Sequence, residues 1–443
     1  MKEKEFKKYP NYKLTGIEWI DGDASTSSPQ GIPEEWEIKK IKHLCYVKGR
    51  VGWKGLKASE FLIKGFAYLV TGTDFKGGLV DWKNCYQIDE ERYLEDPYIQ
   101  LRNDDLLITK DGTIGKLAIV ENLDKPACLN SGIFVVRSLI DNFSTRYLYW
   151  ILRSTIFSNY NNYTSYGSTI QHLYQNVFVE FNFCFPMSAE QTDIANYLDN
   201  KTAKIDTLIE KKKKLIELLK EERTAIINQA VTRGINPNVK LKDSGIEWLG
   251  QIPEHWEVKK LKYVAKLRDE LIDKSDFKIA VENIESGSGK LVGMEEHKNY
   301  QGKLSAFRNG DTIFNKLRPY LHKVYYAEQD GGLFGELLII YSFGEIIPKF
   351  LFYKLFSKIF IDIVDGSTQG TKMPRANWSD FISLLPISFP KDKDEQVQIV
   401  QHIETDMKRI DGTISKIERE IELLAEYRTA LINEVVTGKV KVI

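Results

Sequence analysis

Two matching groups of polar, basic and aromatic residues fall in turn-like stretches of the two halves of this 443-residue chain. Lysine and arginine in such stretches suit contact with nucleic-acid phosphates, and Ser, Thr, Asn, Gln and His can distinguish base edges. In the first half the candidates are Arg50, Lys54, Lys57, Lys110, Thr113, Lys116, Ser168, Thr169, Gln171 and His172. In the second half they are Asn315, Lys316, Arg318, Tyr320, His322, Lys323, Thr368, Gln369, Thr371, Lys372 and Arg375. For any single residue the alternative is a solvated surface position.

Motifs for catalysis are missing from the sequence. Gly287-Ser-Gly-Lys290 imitates a phosphate-binding loop, but position 284 is isoleucine rather than glycine, and Leu291 replaces the required Ser or Thr. No Asn-Pro-Pro-aromatic or Asp-Pro-Pro-aromatic tetrapeptide is present to hold a flipped adenine. The six histidines lack the spacing of metal ligands. We therefore expect no catalytic residue, metal site or cofactor in this chain.

Composition and length set the class of protein. The chain is 42% apolar and 28% charged, which is typical of a folded protein of two or more domains. No apolar run approaches the ~18 residues of a membrane span, and the charged N-terminus does not resemble a secretory signal, so we expect a cytoplasmic protein. The four cysteines lack a CxxC spacing, which favours free thiols over a metal site or disulfides. A net charge of zero neither suggests nor excludes nucleic acid.

Two internal repeats frame the candidate residues. Residues 31–42 (GIPEEWEIKKIK) return as 251–262 (QIPEHWEVKKLK), each preceded by Gly-Ile-Glu-Trp, although the first copy carries a nine-residue insertion at 20–28. Glu190–Thr232 aligns with Glu395–Thr437 at a constant offset of 205, with 19 of 43 positions identical. A repeated frame around two unlike inserts is expected of a protein that reads two different things in one geometry.

The longer repeat has the heptad spacing of a coiled coil. Its seam residues are Leu198, Ile205, Ile209, Ile216, Leu219 and Ile226 in the first copy, and Ile403, Ile410, Ile414, Ile417, Ile421, Leu424 and Leu431 in the second. Two helices of matched length would most simply pair with each other, although each could instead pack on its own domain. Arg223 and Asn228, repeated as Arg428 and Asn433, indicate either buried polar residues that fix the register or a docking surface for a partner.

The inserts follow a common order of short apolar strands, an aromatic helical stretch, a Gly-Ser-Thr turn and a proline-containing strand. The fold class predicted is therefore α+β, with two similar mixed α/β domains, a pair of long helices and an internal pseudo-two-fold repeat. The predicted boundaries are 1–42 (repeated N-terminal segment), 43–189 (first domain), 190–233 (central helix), 234–262 (linker and second repeated segment), 263–394 (second domain) and 395–443 (C-terminal helix).

In the order of these motifs, the chain resembles the specificity subunit of type I restriction-modification systems over essentially its whole length. The resemblance rests on the paired IPE-x-W-E-[IV]-K-K-[IL]-K segments, the Gly-Ser-Thr turns, the Glu-Gln helix starts and the R-T-A-[IL]-I-N helix ends. The nine-residue insertion departs from symmetry between the two N-terminal segments.

The resemblance implies two target-recognition domains, each reading one half of a bipartite double-stranded DNA target, and an antiparallel pair of helices that sets the spacer. It also implies partners: two modification subunits that methylate adenine with S-adenosylmethionine, and optionally two restriction subunits that use ATP and Mg²⁺.

Two other functions stay open from the residues alone. One is the reader portion of a self-contained nuclease or methyltransferase, against which the missing catalytic motifs argue. The other is a coiled-coil scaffold that binds protein, which would lack the steep salt dependence of DNA binding.

Overall fold

The computed structural model describes residues 7–21, 31–50, 55–164, 172–294, 302–368 and 374–442. The chain divides into two compact units. Unit 1 comprises Met1–Lys211 and Glu420–Ile443, and unit 2 comprises Lys212–Arg419. Each unit therefore contains one mixed domain and a section of both long repeated helices.

Unit 1 begins with short strands and helices and leads into the first long helix. Its strands are β1 Tyr12–Lys13, β2 Ile32–Pro33, β3 Glu37–Lys40, β4 Cys45–Gly49, β5 Ala67–Val70, β6 Phe75–Lys76, β7 Leu79–Val80, β8 Tyr86–Ile88, β9 Leu106–Thr109, β10 Leu117–Ile119, β11 Ala127–Leu129, β12 Ile133–Ser138 and β13 Asn182–Phe185. Its helices are α1 Glu18–Asp21, α2 Ile41–Leu44, α3 Glu90–Leu94, α4 Thr145–Leu152, α5 Thr155–Thr164 and α6 Gln175–Phe178, followed by α7 Ser188–Arg233, which continues into unit 2.

Unit 2 repeats this scheme with fewer helices. Its strands are β14 Leu241–Asp243, β15 Gln251–Pro253, β16 Trp256–Lys260, β17 Ala265–Leu267, β18 Leu271–Ile272, β19 Lys278–Ala280, β20 Leu304–Phe307, β21 Thr312–Asn315, β22 Val324–Tyr326, β23 Gly331–Phe334, β24 Leu337–Ser342 and β25 Pro386–Pro390. Its helices are α8 Pro348–Phe356, α9 Lys358–Gly366 and α10 Lys393–Val436, the last of which ends in unit 1.

The central sheet has the same strand order in both units. The order is β4-β12-β9-β10 in unit 1, extended by β7 and β6, and β17-β24-β21-β22 in unit 2. Neighbours within these four-stranded cores are antiparallel. β9 and β21 are buried along their whole length, as continuous apolar runs predict. The predicted similarity of the two mixed domains is confirmed.

The repeated motifs meet where each long helix begins. The strand of the first repeat pairs with the strand before the helix, β3 with β13 and β16 with β25. Trp36 Nε1 donates to Glu190 Oε2 at 2.9 Å, and Trp256 Nε1 donates to Glu395 Oε1 at 3.0 Å. Both indole rings are buried, so the glutamates satisfy donors that burial would otherwise leave without a partner.

The glutamine next to each glutamate adds hydrogen bonds at the same place, where the long helix begins. Gln191 Nε2 donates to Pro186 O at 2.9 Å, and Gln396 Nε2 donates to Pro390 O at 2.8 Å. The side-chain oxygen of each glutamine accepts a backbone N–H just before the aromatic helix of its unit, at 3.0 and 2.9 Å. The repeated Glu-Gln pair therefore fixes strand, helix and domain to one another in each unit.

The long helices run antiparallel within each unit. Arg428 Nε lies 3.1 Å from Asp206 Oδ1 in unit 1, and Arg223 Nη1 lies 3.7 Å from Asp411 Oδ1 in unit 2. The two ion pairs are copies of each other at the repeat offset. Of the two interpretations of these arginines, the structure favours the residue that fixes register, because each one joins the two helices.

The predicted seam is confirmed as the packed face of the pair. Every predicted seam residue is buried or partly buried, and Leu198, Ile403 and Ile410 are fully covered. α10 continues through Gly412 without a break.

The aromatic helical stretch of each unit forms two short helices rather than one. In unit 1 the stretch divides into α4 and α5 at Ser154, whose hydroxyl donates to Ile151 O at 2.6 Å. In unit 2 it divides into α8 and α9 at Ser357, which makes the same bond to Lys354 O at 2.7 Å. In each unit the serine hydroxyl donates to a carbonyl oxygen in the last turn of the first helix, and this local bond favours the end of that helix.

The cysteines and the apolar content of the helices were also predicted from the sequence. The four cysteines are free, as predicted, and all four are buried. Burial raises the pKa of the Cys45 and Cys184 thiols to about 12. Among the described residues no helix is both long enough and apolar enough to cross a membrane.

Candidate nucleic-acid interface

In unit 1 the turn between β9 and β10 carries three of the predicted contact residues. Thr113 and Lys116 are exposed, and Lys110 is partly buried with its Nζ 5.2 Å from the centre of the Phe134 ring. Lys116 N donates to Thr109 Oγ1 at 3.0 Å, which closes the turn onto the end of β9. The turn therefore presents two cationic side chains and a hydroxyl at the end of a buried central strand.

In unit 2 the turn between β21 and β22 occupies the equivalent place. Arg318 and Tyr320 are exposed, and Lys316 is partly buried. Tyr320 N donates to Asp365 Oδ1 at 3.2 Å, which ties the turn to α9. This turn presents a guanidinium and a phenol where the turn of unit 1 presents Thr113 and lysines.

A second segment lies beside each turn. Leu173 N donates to Lys110 O at 3.0 Å in unit 1, and Ala376 N donates to Lys316 O at 2.9 Å in unit 2. In unit 1 this brings His172 against Asp111, with which it forms an ion pair when protonated. The structure thus brings together residues that are about 60 positions apart in the sequence, at corresponding places in both units.

The second segment of unit 2 includes Arg375. Arg375 is exposed and lies 3.0 Å from Glu336, and its backbone forms a bridge with Leu317 in the turn. Thr368, at the other end of the Gly-Ser-Thr stretch, is partly buried, and its hydroxyl donates to Asp365 O at 2.8 Å. Among the described residues of this segment, Arg375 extends the basic surface of the turn.

Several predicted contacts lie outside the described residues. They are Lys54, Ser168, Thr169, Gln171, Gln369, Thr371 and Lys372. Lys57 is described and exposed, in the segment before a short helical turn.

Arg50 is a correction to the prediction. Its side chain is only 2% exposed, and its Nε donates to Leu129 O at 2.9 Å. A guanidinium engaged inside the domain has no surface to offer a phosphate, so its prediction as a phosphate contact is wrong. The glycine-rich surroundings of Arg50 resemble an exposed basic loop in sequence, whereas the side chain turns inward beneath β11.

Three side chains of the unit 2 turn bond to backbone carbonyl oxygens and so stabilise the conformation of the turn. Asn315 is 4% exposed, donates from Nδ2 to Leu317 O at 2.7 Å and accepts from Leu317 N at 3.1 Å. His322 Nε2 lies 2.6 Å from Phe356 O, and burial lowers the pKa of its imidazole. Lys323 Nζ donates to Val281 O at 2.8 Å. The predicted DNA contact at Asn315 is therefore wrong, because its buried side chain holds the turn in place. His322 and Lys323 are partly exposed, and their contacts with DNA stay predictions.

Sequence reasoning missed an ion pair at the end of each central strand that lies opposite the turn. Asp105 and Asp311 stand just before β9 and β21 and are 1% and 2% exposed. Arg137 Nε lies 2.6 Å from Asp105 Oδ1, and Arg268 Nε lies 2.6 Å from Asp311 Oδ2. The bond to the carboxylate raises the pKa of each arginine. The signal was available, since both strands begin with aspartate.

The loop that imitates a phosphate-binding motif is a structural turn. Gly287 N donates to His322 O at 2.9 Å, and Arg223 of α7 donates to Ser288 O. Lys290 Nζ lies 2.6 Å from Asp411 Oδ2 on α10. The loop therefore joins the β21–β22 turn to the helix pair within unit 2, which the sequence did not indicate.

Comparisons with known proteins agree on one family. A family model described as the type I restriction modification DNA specificity domain matches residues 33–218. The EcoDI specificity subunit of a type I restriction enzyme from Escherichia coli is 29% identical over 282 residues, which are 59% of this chain and 62% of that subunit. The MjaVIII specificity subunit of a type I restriction enzyme from Methanocaldococcus jannaschii is 26% identical over 434 residues, which are 93% and 94% of the two chains. Residues 33–218 are therefore similar to the type I DNA specificity domain, and the chain over most of its length is similar to type I restriction enzyme specificity subunits.

Solved structures show the same fold. A chain from work on complex assembly and conformational transition of the type I R-M system has a TM-score of 0.69 at 12% identity, covering 93% of this chain and all of that one. The HsdS subunit from Thermoanaerobacter tengcongensis has a TM-score of 0.56 at 12% identity, covering 93% of this chain and 99% of that one. These two structures show the fold of the chain, and the description of the family model gives DNA specificity as the role of the matched domain.

Proposed function

We propose that each unit of this specificity subunit reads one half of a bipartite duplex target, through the turn at the end of its central strand. The β9–β10 turn serves unit 1 and the β21–β22 turn serves unit 2. The observation that supports this proposal is the equivalence of the two turns: same strands, same adjoining segment, different exposed side chains. Equivalent position with different chemistry is expected of two readers with different specificities.

The division of labour within each turn follows from the side chains. Lys110, Lys116, Lys316 and Arg375 are placed to neutralise phosphates, which fixes the position of each unit on the duplex. Thr113, Arg318 and Tyr320 are exposed at the turns, where they reach base edges. Because lysine and arginine dominate, we expect affinity to fall steeply as salt is raised.

The antiparallel helices act as the spacer in this proposal. Their ion pairs at Asp206–Arg428 and Arg223–Asp411 fix the register of one helix on the other. A fixed register gives a fixed distance along the helices, and on DNA about 3.4 Å of that distance corresponds to one base pair.

The chain works in a complex, and we propose its composition. Two modification subunits supply adenine methylation with S-adenosylmethionine, and two restriction subunits, where present, supply ATP- and Mg²⁺-dependent cleavage. The specificity subunit itself holds none of these cofactors. We place the complex in the cytoplasm.

The experiment is a methylation map. The full chain is expressed with its modification subunits in a host without other adenine methylation, and modified positions are sequenced. We expect one motif made of two short defined halves separated by a fixed number of unspecified pairs. A continuous motif, or none from a complex shown to be assembled and to bind S-adenosylmethionine, would contradict the proposal.

A further inference from the structure

The last residue of each central strand is a buried polar side chain at the start of the reading turn. Thr109 ends β9 and is 3% exposed, and Asn315 ends β21 and is 4% exposed. Thr109 N donates to Lys116 O at 3.0 Å, across the turn of unit 1. Asn315 N makes the same bond to Lys323 O, also at 3.0 Å, so the two places correspond. Buried polar side chains need hydrogen-bond partners, and in both units the turn supplies them.

In unit 1 the Thr109 hydroxyl makes two bonds to the main chain of the turn. Its Oγ1 donates to Thr113 O at 2.5 Å and accepts from Lys116 N at 3.0 Å. The main chain of the same residue adds a third bond, because Thr109 O accepts from Gly115 N at 3.0 Å. One buried hydroxyl therefore fixes the backbone of Thr113, whose side chain is exposed in the middle of the turn.

In unit 2 the Asn315 amide makes both of its bonds to one residue. Its Nδ2 donates to Leu317 O at 2.7 Å, and its Oδ1 accepts from Leu317 N at 3.1 Å. The backbone of Leu317 also forms the bridge with Arg375. The amide thus fixes the first part of the turn, whereas the hydroxyl of unit 1 fixes the middle.

The two side chains suit turns of different length. Five residues lie between Lys110 and Lys116, and six lie between Lys316 and Lys323. In the longer turn Asn315 accepts from the backbone two residues further on, which is the bond of an Asx turn. In the shorter turn the hydroxyl bonds across the turn instead. Each unit therefore stabilises its own turn conformation from beneath, with a different buried group.

We propose that Thr109 and Asn315 are positioning residues for base recognition, each in the half-site that its own unit reads; this inference rests on the function proposed above. Side chains that distinguish base edges do so when supporting hydrogen bonds hold them within about 0.5 Å of the productive position. Loss of the bonds beneath a turn should therefore relax its choice of base. Both residues act without touching DNA, since both are buried.

Three substitutions and a control test the proposal. Thr109→Val keeps the shape of the side chain and removes its hydrogen bonds, and Thr109→Ser keeps the hydroxyl. Asn315→Leu is the corresponding loss in unit 2. The matched control is Thr312→Val at the start of β21, because Thr312 is also fully buried and its hydroxyl has no hydrogen-bond partner among the described residues. The equivalent residue of unit 1 is Leu106, so an apolar side chain suits this position.

All variants are compared with the wild type as complexes with the modification subunits. The melting temperature is measured, together with the rate of methylation on duplexes that carry every base at each position of both half-sites. We expect Thr109→Val to lose about tenfold of its base preference at one or more positions of one half-site, with the other half-site unchanged. Asn315→Leu should have the same effect on the other half-site.

The remaining variants separate positioning from stability. We expect Thr109→Val and Asn315→Leu to melt about 2–4 °C lower than wild type. Thr109→Ser should keep the wild-type preference at every position. Thr312→Val should keep the preference in both half-sites and melt no lower than wild type, because it removes a buried hydroxyl without a partner.

Wild-type base preference in Thr109→Val or in Asn315→Leu would overturn the inference. A uniform loss of rate over all duplexes would do the same, because a merely structural role lowers activity without changing the choice of base. Relaxed preference in Thr312→Val would also contradict it, since any change in the buried strand would then suffice. If Asn315→Leu does not assemble, Thr109→Val decides alone. If the wild-type complex recognises no bipartite motif, the proposed function fails instead, and the two failures are distinct.

Discussion

Unit 1 and unit 2 are most alike where buried polar groups must find partners and least alike where side chains face outward. The hydrogen bonds of Trp36 with Glu190 and of Trp256 with Glu395 are nearly equal in length, at 2.9 and 3.0 Å. In the exposed turns, by contrast, Gly112 of unit 1 and Arg318 of unit 2 occupy corresponding positions. The repeat therefore preserves the buried contacts where each long helix begins, and it leaves the exposed turns free to differ between the units.

The units also differ in how each domain is fixed to its section of the helices. In unit 1, Thr155 N donates to Asn433 Oδ1 at 2.8 Å. In unit 2, the fully buried Lys354 donates from Nζ to Val231 O at 2.6 Å and to Ser388 Oγ at 3.0 Å, where the equivalent residue of unit 1 is Ile151. Unit 2 thus holds the end of α7 through the amine of Lys354, whereas unit 1 holds the end of α10 through the amide oxygen of Asn433.

The largest effect expected is on the shared frame. Trp36→Ala and Trp256→Ala each leave a cavity and remove the indole donor from a partly buried glutamate, so each should lower the free energy of unfolding of its own unit by about 3–5 kcal/mol. Hydrogen exchange resolved by peptide should show the loss in unit 1 for the first variant and in unit 2 for the second. A loss in only one of the two would show that the frames are not equivalent in energy.

The second prediction concerns the spacer. Four residues of helical sequence are inserted after Leu219 in α7 and, to keep the antiparallel register, after Ile414 in α10. Four residues add about 6 Å, or close to two base pairs. We expect the unspecified gap of the motif to lengthen by one or two pairs with both halves unchanged, as read by methylation mapping.

The control for the spacer is the insertion in α7 alone. It displaces Arg223 from Asp411 by about one turn, and we expect an unstable complex with little methylation. An active double insertion that retains the original gap would mean that the helices do not set it.

The third prediction uses the buried lysine that distinguishes unit 2. Burial lowers the pKa of Lys354 to about 7, whereas the unfolded chain has the ordinary value near 10.5. Between these values the unfolded state binds more protons, so stability rises with pH across that window and is lost as pH falls towards 7. We expect the melting temperature of wild type, relative to Lys354→Met, to rise by several degrees from pH 7 to pH 9.5.

Ile151→Met is the matched control for Lys354→Met, since it changes the equivalent buried position of unit 1 without removing a charge. Its melting temperature relative to wild type should not vary with pH. The same pH slope in wild type and Lys354→Met would contradict a neutral amine in the folded protein.

The smallest expected effect is a difference in stabilisation between the two ion pairs that join the long helices. Asp411 bonds to both Arg223 and Lys290 and is 26% exposed, whereas Asp206 is 52% exposed. We expect Asp411→Asn to lower the free energy of unfolding by about 1–2 kcal/mol and Asp206→Asn by less than about 0.5 kcal/mol. Chemical denaturation of both variants measures the difference, and equal losses would remove the proposed role of the 285–290 loop.

Much of the fold was predictable because it repeats. The heptad spacing from Leu198 to Ile226 gave α7 and its seam, and the order of apolar runs gave β9, β10 and β12 with their counterparts in unit 2. The second sheet of each unit was missed. Its strands, such as Ala67–Val70 and Lys278–Ala280, are too short to show a period, and their pairing is set by distant segments.

The sequence predicted the turns of the candidate site, and their role in DNA contact stays a prediction. The turns at Lys110 and Lys316 lie at strand ends, because lysine and turn residues follow a strand in both units. The predicted contacts at Arg50 and Asn315 were wrong, because the sequence does not show whether a polar side chain turns inward to a backbone carbonyl.

We propose that the two units read two half-sites independently, each held by the same repeated motifs. The most direct measurement is a methylation map of a chain in which residues 43–189 are exchanged for the corresponding segment of a family member with a known motif. We predict that one half of the motif becomes that of the donor, while the other half and the gap stay as in the wild type. A change in both halves together, from an assembled and active complex, would contradict the claim.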